Sequence, residues 1–184
     1  MSDLKYRISG RQNFLVPVVE QTDREQGTES RIPEWLVRID DLTESKNPKF
    51  QKHVELFGWY GESSKRGKPQ GTGLIAPTGT LRHSELVIIV GVEAFLAELQ
   101  TRMNSGKPIT EVEILHVMNE ATVQSIRYLV CNIQSIQQEL DRAVIKLNVG
   151  VKVDRIVVFN AAGMPAGQKV SSTDYTTGML NTFS

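Results

Sequence analysis

The chain has 184 residues, a formal net charge of zero and one cysteine, Cys131. This length is typical of one domain, and zero net charge gives no long-range attraction to nucleic acid or to an anionic membrane. A single cysteine excludes an internal disulfide and a cysteine-rich zinc cluster. The first residues lack the apolar core of a secretory signal, and no apolar run reaches the ~18 residues of a membrane span. We therefore expect a protein that starts in the cytoplasm and binds neither nucleic acid nor membrane.

Five segments before residue 134 have the composition and alternation of β-strands. In the first of them, WLVRID, the side chains of Trp35, Val37 and Ile39 share one face. The third, ELVIIV, is apolar on both faces, which predicts a central strand. The five predicted strands cover residues 35–40, 53–60, 85–90, 111–118 and 126–133.

Two segments are candidates for helices. In residues 92–104, VEAFLAELQTRMN, apolar residues recur at steps of three and four from Val92 to Met103, which predicts an amphipathic helix. Gly106 follows as a stop signal. Residues 135–142, SIQQELDR, are a weaker candidate for one or two helical turns.

The last part of the chain predicts a long strand and a hairpin. Apolar residues alternate from Ala143 to Val153, and residues 156–159, IVVF, then break the alternation. The break predicts either a β-bulge near Asp154 or a segment covered on both faces. An extended run at residues 169–175 follows a turn whose dihedrals are supplied by Gly163, Pro165 and Gly167. Together, the elements predict a mainly β fold, a compact antiparallel β-barrel of two packed sheets with one flanking α-helix.

The glycine-rich segment at residues 61–73, GESSKRGKPQGTG, combines four glycines with three basic side chains. A phosphate-binding P-loop needs four residues between its glycines and a hydroxyl-bearing residue after its lysine. Here five residues separate Gly61 from Gly67, and Pro69 follows Lys68. The segment is therefore interpreted as a solvated or partner-facing loop, with a nucleotide-binding module or enzyme kept as an alternative.

The rest of the chain contains no catalytic constellation. His53, His83 and His116 lie in separate segments, and each lacks the further convergent ligands that a metal site needs. Cys131 could face His116 across neighbouring strands, but its apolar surroundings would raise the pKa of the thiol rather than activate it. We therefore expect no enzymatic activity, no metal ion and no cofactor.

The order of four stretches resembles the haemolysin-coregulated protein (Hcp) family of type VI secretion systems. The first stretch, WLVRIDDLTESKNPKFQKHVELFGWYGES, is similar to the family's opening strand, turn and second strand. A glycine-rich loop, a strand–helix–strand unit with Gly106-Lys107 at its second junction, and a closing hairpin follow in the family's order. The family's closing-strand tryptophan is missing, as in a diverged member or a related tail-tube protein. The resemblance covers about residues 34–178, and its four stretches are residues 35–63, 61–73, 85–117 and 153–177.

The resemblance implies a tube subunit that assembles into homohexameric rings. The rings would stack into the inner tube of a contractile injection machine and carry small effectors in the lumen. The subunit would be cytoplasmic before firing and then leave through the type VI machine without a signal peptide, and its partners would be itself and the sheath, spike and baseplate proteins. Residues 34–184 would form the tube domain, and residues 1–33 an N-terminal extension that adds a strand or lies on a neighbouring subunit.

Within this interpretation, two loops are candidate contact sites between rings. A phage-like tail-tube subunit and a monomeric cargo-binding or adaptor domain remain alternatives. The glycine-rich loop is the first candidate site, and the tip of the closing hairpin is the second. The candidate residues are Lys65, Arg66, Gly67, Lys68, Gly71 and Gly73 in the first site, and Gly163, Pro165 and Gly167 in the second.

Overall fold

The computed structural model describes residues 5–8, 15–18, 33–45, 48–65, 81–119, 121–160, 163–177 and 180–183. Twelve strands and one helix lie in these residues. In chain order they are β1 Lys5–Ile8, β2 Leu15–Val18, β3 Trp35–Ile39, β4 Val54–Tyr60, β5 Ser63–Lys65, β6 Leu81–His83, β7 Leu86–Gly91, α1 Phe95–Ser105, β8 Ile109–Met118, β9 Ala121–Glu139, β10 Arg142–Phe159, β11 Pro165–Asp174 and β12 Leu180–Phe183.

Six antiparallel strands close into a barrel in the order β10-β7-β4-β3-β8-β9, because β9 pairs again with β10. Closure leaves these strands without the unpaired edges that an open sheet exposes. Strands β11 and β12 continue the sheet from the far half of β10. The predicted antiparallel β-barrel with one flanking helix is confirmed.

The barrel interior is filled by the apolar faces of the alternating strands. Val37 and Ile39 of β3 are fully buried, as are Ile88 of β7 and Ile145 of β10. Burying a branched side chain of this size stabilises the fold by roughly 1.5–3 kcal/mol. The core is therefore formed by the same alternation that predicted the strands.

Helix α1 lies beside the last part of β9 and buries Phe95, Leu96 and Leu99. It ends at Gly106, whose left-handed φ of 68° is the conformation that glycine adopts without strain. The Arg102 guanidinium contacts the carboxylate of Asp40 at 2.5 Å and so ties the helix to the turn after β3. The helix predicted over residues 92–104 is confirmed, with a start at residue 95.

The helical prediction for residues 135–142 is wrong. Strand β9 continues to Glu139, the chain turns at Leu140, and β10 begins at Arg142. The pairing with β10 shifts by one residue between Ile133 and Ser135. Because of this bulge, both Ile133 and Ile136 pack against the core. The three-residue spacing between these two apolar residues is typical of a helix, but here it belongs to a strand.

Both explanations offered for residues 156–159 are also wrong. Pairing with β9 and β11 passes through Asp154 without a shift, and the irregularity lies between Val158 and Phe159. The segment is exposed in the single chain, at 49% for Ile156, 37% for Val158 and 42% for Phe159. The pairing between β9 and β10 stops where Gln124 lies opposite Ile156. Residues 157–159 of β10 therefore extend past the barrel with only β11 beside them.

Two short hairpins accompany the barrel. Strands β1 and β2 pair with each other in a two-stranded sheet, and the division of the chain at residues 33 and 34 stays a prediction. Strands β5 and β6 form the second pair. Because β4 leads into β5 and β6 leads into β7, the two pairs β4–β7 and β5–β6 are successive parts of one long, bent hairpin.

Candidate assembly surfaces

The predicted glycine-rich loop leaves the barrel at the end of this long hairpin. Lys65 is the last residue of β5 and pairs with Leu81 of β6. The other five candidate residues of the loop lie outside the described residues. The loop therefore connects the two strands of a hairpin, and its part in ring contact stays a prediction. The five residues are Arg66, Gly67, Lys68, Gly71 and Gly73.

Hydrogen bonds join the two sides of this hairpin at its base and connect it to the end of β11. The Ser84 amide donates to the Glu62 carbonyl at 2.8 Å, and the Glu62 amide donates to the Ser84 hydroxyl at 2.8 Å. The hydroxyls of Ser63 and Tyr175 lie 2.5 Å apart. The described residues on either side of the glycine-rich loop are therefore held together by hydrogen bonds.

A buried aromatic cluster lies below that base. The His83 ring makes edge contacts with Tyr128 at 5.6 Å and with Tyr175 at 4.9 Å between ring centroids. Burial lowers the pKa of His83 and raises the pKa of Tyr128. A Cβ on Gly61 would lie 3.1 Å from the His83 ring and 3.3 Å from the Tyr128 hydroxyl. Glycine at position 61 therefore allows the chain to pass close to His83 and Tyr128.

The second candidate site, the tip of the β10–β11 hairpin, is exposed at its described residues. The Gly163 amide donates to the Asn160 carbonyl at 2.9 Å, and the Asn160 amide donates to the Met164 carbonyl at 2.9 Å. Gly163, Pro165 and Gly167 all lie in this exposed turn and the first residues of β11. The hairpin predicted from the sequence is confirmed, and its role in ring contact stays a prediction.

The end of this hairpin combines apolar side chains with positive charge. Ile156, Val158, Phe159 and Met164 are among the most exposed large apolar residues of the described chain. From residue 155 to residue 173 the chain contains two basic residues and no acidic one. We call residues 155–160 and 163–169 the knob. Exposed apolar groups of this size, grouped at one end of a molecule, are typical of a protein contact surface.

The opposite end of β9 and β10 carries an open groove that is lined by both polar and apolar side chains and has acidic surroundings. The groove lies between the first turns of α1 and the last residues of β9, with a volume of about 470 Å³. Leu140, in the β9–β10 turn beside it, is fully exposed. Carboxylates of Glu93, Glu139 and Asp141 lie in the same segments. Its lining residues are Glu93, Ala94, Leu96, Ala97, Gln100, Ile136 and Gln138.

A network of ionised side chains crosses the outer face of β3, β8 and β9. Arg38 contacts Glu111 at 2.6 Å and Glu113 at 3.1 Å, and Arg127 binds both carboxylate oxygens of Glu111 at 2.8 and 2.7 Å. The network lies on directly paired positions, because Glu113 is opposite both Arg38 and Arg127. Cross-strand pairs of opposite charge stabilise a sheet by roughly 0.2–1 kcal/mol each.

Glu113 is the most strongly perturbed member of this network. The neighbouring His53, then Ser125 and Arg38, lower the pKa of Glu113 to about 2. Ser125 donates a hydrogen bond to Glu113 at 2.9 Å, while His53 Nε2 lies 3.6 Å from its other oxygen. The sequence analysis missed this network because it depends on strand register. The signal available was the polar face of the predicted strands 35–40, 111–118 and 126–133.

Cys131 and His116, the two residues considered together for catalysis, do not lie opposite each other. Cys131 is fully buried, and burial raises the pKa of its thiol to about 12. His116 stacks on Trp35 at 4.3 Å and pairs with Gln124, whereas Cys131 pairs with Ile109. Within the part of the chain that the structure describes, no three His, Cys, Asp or Glu residues are grouped to hold a metal ion. No helix in that part is long and apolar enough to cross a membrane.

Comparison with known proteins gives matches among solved structures alone. No protein-family model matches the chain, and none of the curated proteins matches it. A structure described as a type six secretion system protein superposes with a TM-score of 0.71 at 13% identity, covering 82% of this chain and 100% of the other. Hcp1 from Salmonella typhimurium gives 0.65 at 13% identity, covering 80% and 97%.

A third match comes from an extracellular contractile injection system. The sheath-tube complex called PVC, in its extended state, contains a chain with a TM-score of 0.50 at 13% identity, covering 75% of this chain and 100% of the other. The fold of this chain is therefore the Hcp-like tube-protein fold. The resemblance seen in the sequence is confirmed at the level of the fold.

Proposed function

We propose that this protein is a tube subunit of a type VI secretion system. In this proposal, six copies form a ring, and stacked rings form the inner tube that is expelled to deliver small effectors. The observation that carries it is the closed six-strand barrel with one flanking helix, which spans all or nearly all of the Hcp structures it matches. The likeness in fold is the support for transferring the assembly from those proteins to this one.

The surface of the single chain supports self-assembly. The knob exposes large apolar side chains at one end of the two longest strands, and the groove lies at the other end beside the exposed Leu140. With a formal net charge of zero, copies do not repel one another at long range. Both features suit a protein whose function is to contact further copies of itself. The sheath, spike and baseplate proteins are its other proposed partners, and it would leave the cytoplasm when the machine fires.

The assembly is tested directly on purified full-length protein. Mass measurement after size-exclusion chromatography is expected to give six times the 20.6 kDa chain mass, and negative-stain micrographs are expected to show rings with six-fold symmetry. A protein that remains monomeric at every accessible concentration contradicts the proposal and favours the cargo-binding or adaptor alternative.

A phage-like tail-tube subunit is the second candidate, and its support is the match to the extracellular injection system. Rings and tubes are expected for both candidates, so the difference lies in export. For a type VI subunit, the protein appears in the culture medium of its host and disappears from it when the type VI machine is inactivated. Export that does not depend on that machine favours the second candidate.

A further inference from the structure

We propose that the knob of one copy occupies the groove of the next copy, which joins the subunits head to tail. This inference rests on the proposed function, because it names the surfaces through which the tube subunits contact each other. The two surfaces lie at opposite ends of β9 and β10, so no single copy can fill its own groove. A contact between two different surfaces of identical chains is heterologous, and heterologous contacts generate rings or filaments.

The knob has apolar side chains on both of its faces. Ile156 and Val158 alternate with Val157 and Phe159 along β10, so successive side chains point to opposite faces. Three of these four side chains are exposed in the single chain. A two-stranded hairpin with both faces open to water has little stability of its own. Packing into a partner would bury this surface and order the hairpin.

The groove provides a surface of suitable size with mixed polar and apolar lining. Ala94 and Ala97 are small side chains on its helical side, and Ile136 is an apolar side chain on its strand side. A volume of about 470 Å³ lies within the roughly 300–1,000 Å³ of typical binding pockets. The exposed Leu140 adds a large apolar side chain past the end of the barrel. The end of a hairpin with large apolar side chains fits such a groove.

The charges of the two surfaces are complementary, and this selects a second copy as the occupant. Arg155 and Lys169 are exposed on the knob, which contains no carboxylate. Glu139 and Asp141 are exposed beside the groove. Arg142, the nearby base, lies over the Phe57 ring at 4.8 Å. A basic knob and an acidic groove attract each other and set the orientation of the contact.

Charge reversal tests the contact on the full-length chain. The knob variant is R155E/K169E, and the groove variant is E139K/D141K. Each alone should lower the association constant at least tenfold in sedimentation velocity at low salt. A mixture of the two should assemble like the wild type, because acidic knobs then meet basic grooves and basic knobs meet acidic ones. The quadruple variant, R155E/K169E/E139K/D141K, should also assemble without a second variant present.

Matched variants control for net charge and for folding. R82E/K107E reverses two exposed bases elsewhere in the described chain and should assemble like the wild type. A97W fills the groove without a change in charge and should weaken assembly at every salt concentration. Circular dichroism and thermal melting of each variant confirm that the barrel is folded before association is compared.

The outcomes separate this inference from the proposed function. If the wild type forms rings or tubes and both charge-reversed variants do so equally well, the knob-to-groove contact is wrong and the tube function stands. If each variant is impaired and the mixture does not recover, the pairing of these two surfaces is wrong. If the wild type never assembles, both proposals fail.

Discussion

The two halves of β10 are alike in sequence and opposite in environment. From Ala143 to Leu147 the strand is flanked by β7 and β9, and the side chains of Ala143, Ile145 and Leu147 are fully buried. Pairing with β9 stops at Ile156, so from Val157 to Phe159 only β11 flanks the strand, and Ile156, Val158 and Phe159 are exposed. The comparison shows that what surrounds a strand, rather than its own composition, decides whether its apolar face becomes core or contact surface.

The largest expected effect separates the two halves by one substitution in each. Ile145→Ala removes a fully buried side chain and should lower the free energy of unfolding by about 2–5 kcal/mol. Ile156→Ala removes a half-exposed side chain of the same type and should cost less than about 0.5 kcal/mol in the monomer. Urea denaturation followed by tryptophan fluorescence measures both values. Equal losses would contradict the division of β10 into a core half and a contact half.

A second prediction contrasts how the stability depends on pH through the ionic network of β3, β8 and β9 and through the far half of β10. The pKa of Glu113 is lowered from 4.5 to about 2 in the folded protein. As pH falls, the unfolded chain therefore binds this proton first, so the stabilisation is complete above pH 4.5 and is lost as pH falls towards 2. Glu113→Gln should lower stability by about 1–3 kcal/mol at pH 7 and should flatten the loss of stability below pH 4.5.

The control for this prediction is Asp154→Asn on the far half of β10. Asp154 accepts a hydrogen bond from Gln124 at 3.0 Å, and an asparagine oxygen can accept the same bond. This variant should keep the acid-dependent loss of stability seen in the wild type. Denaturant midpoints of the wild type and both variants are measured from pH 2 to pH 7. If the midpoint of Glu113→Gln falls with pH in parallel with that of the wild type, Glu113 does not cause the acid-dependent loss of stability.

The smallest expected effect concerns Val130 of β9, which has a left-handed backbone conformation between the two halves of β10. Val130 has a φ of 54° and lies against Gly150 of β10, where a Cβ would come within 3.3 Å of the Val130 carbonyl oxygen. A branched residue in this left-handed conformation costs roughly 1–2 kcal/mol, whereas asparagine adopts it more readily. Val130→Asn should therefore raise the free energy of unfolding by about 1 kcal/mol.

The matched control is Val158→Asn, an exposed valine of β10 that is not among the residues with positive φ. It relieves no left-handed strain and should leave the stability unchanged or slightly lower, because valine favours strands. Thermal melting of the two variants gives the comparison. Equal shifts of Tm for both would show that the conformation of Val130 contributes no strain.

Much of the fold could be predicted from the chain because strand and helix periodicities are local. The alternation of Trp35, Val37 and Ile39 and the three-and-four spacing of residues 92–104 both predicted the observed elements. The prediction failed at residues 135–142, because a bulge changes which side chains share a face. It also failed at Asp154, because the broken alternation reflects exposure on both faces rather than a bulge.

The candidate sites were predictable only in part. The glycines and proline of residues 163–167 located a turn, since their backbone preferences are local. The groove was missed because it forms between α1 and β9, two segments that are separate in the chain. The basic knob had a sequence signal in its lack of carboxylates from residue 155 to residue 173. The lack of carboxylates indicates a contact surface only when the structure places the acidic groove at the opposite end of β9 and β10.

By itself, the sequence determined the type of most barrel elements and of the helix, the antiparallel order typical of short connections, and the likeness to tube proteins. The reason is that side-chain period, turn residues and chain order are properties of neighbouring residues. Only the tertiary structure decided that β9 closes the barrel on β10, that Arg38, Glu111, Glu113 and Arg127 meet, and that knob and groove lie at opposite ends. These features depend on strand pairing between distant segments, and pairing is set by burial of the whole core rather than by any single stretch.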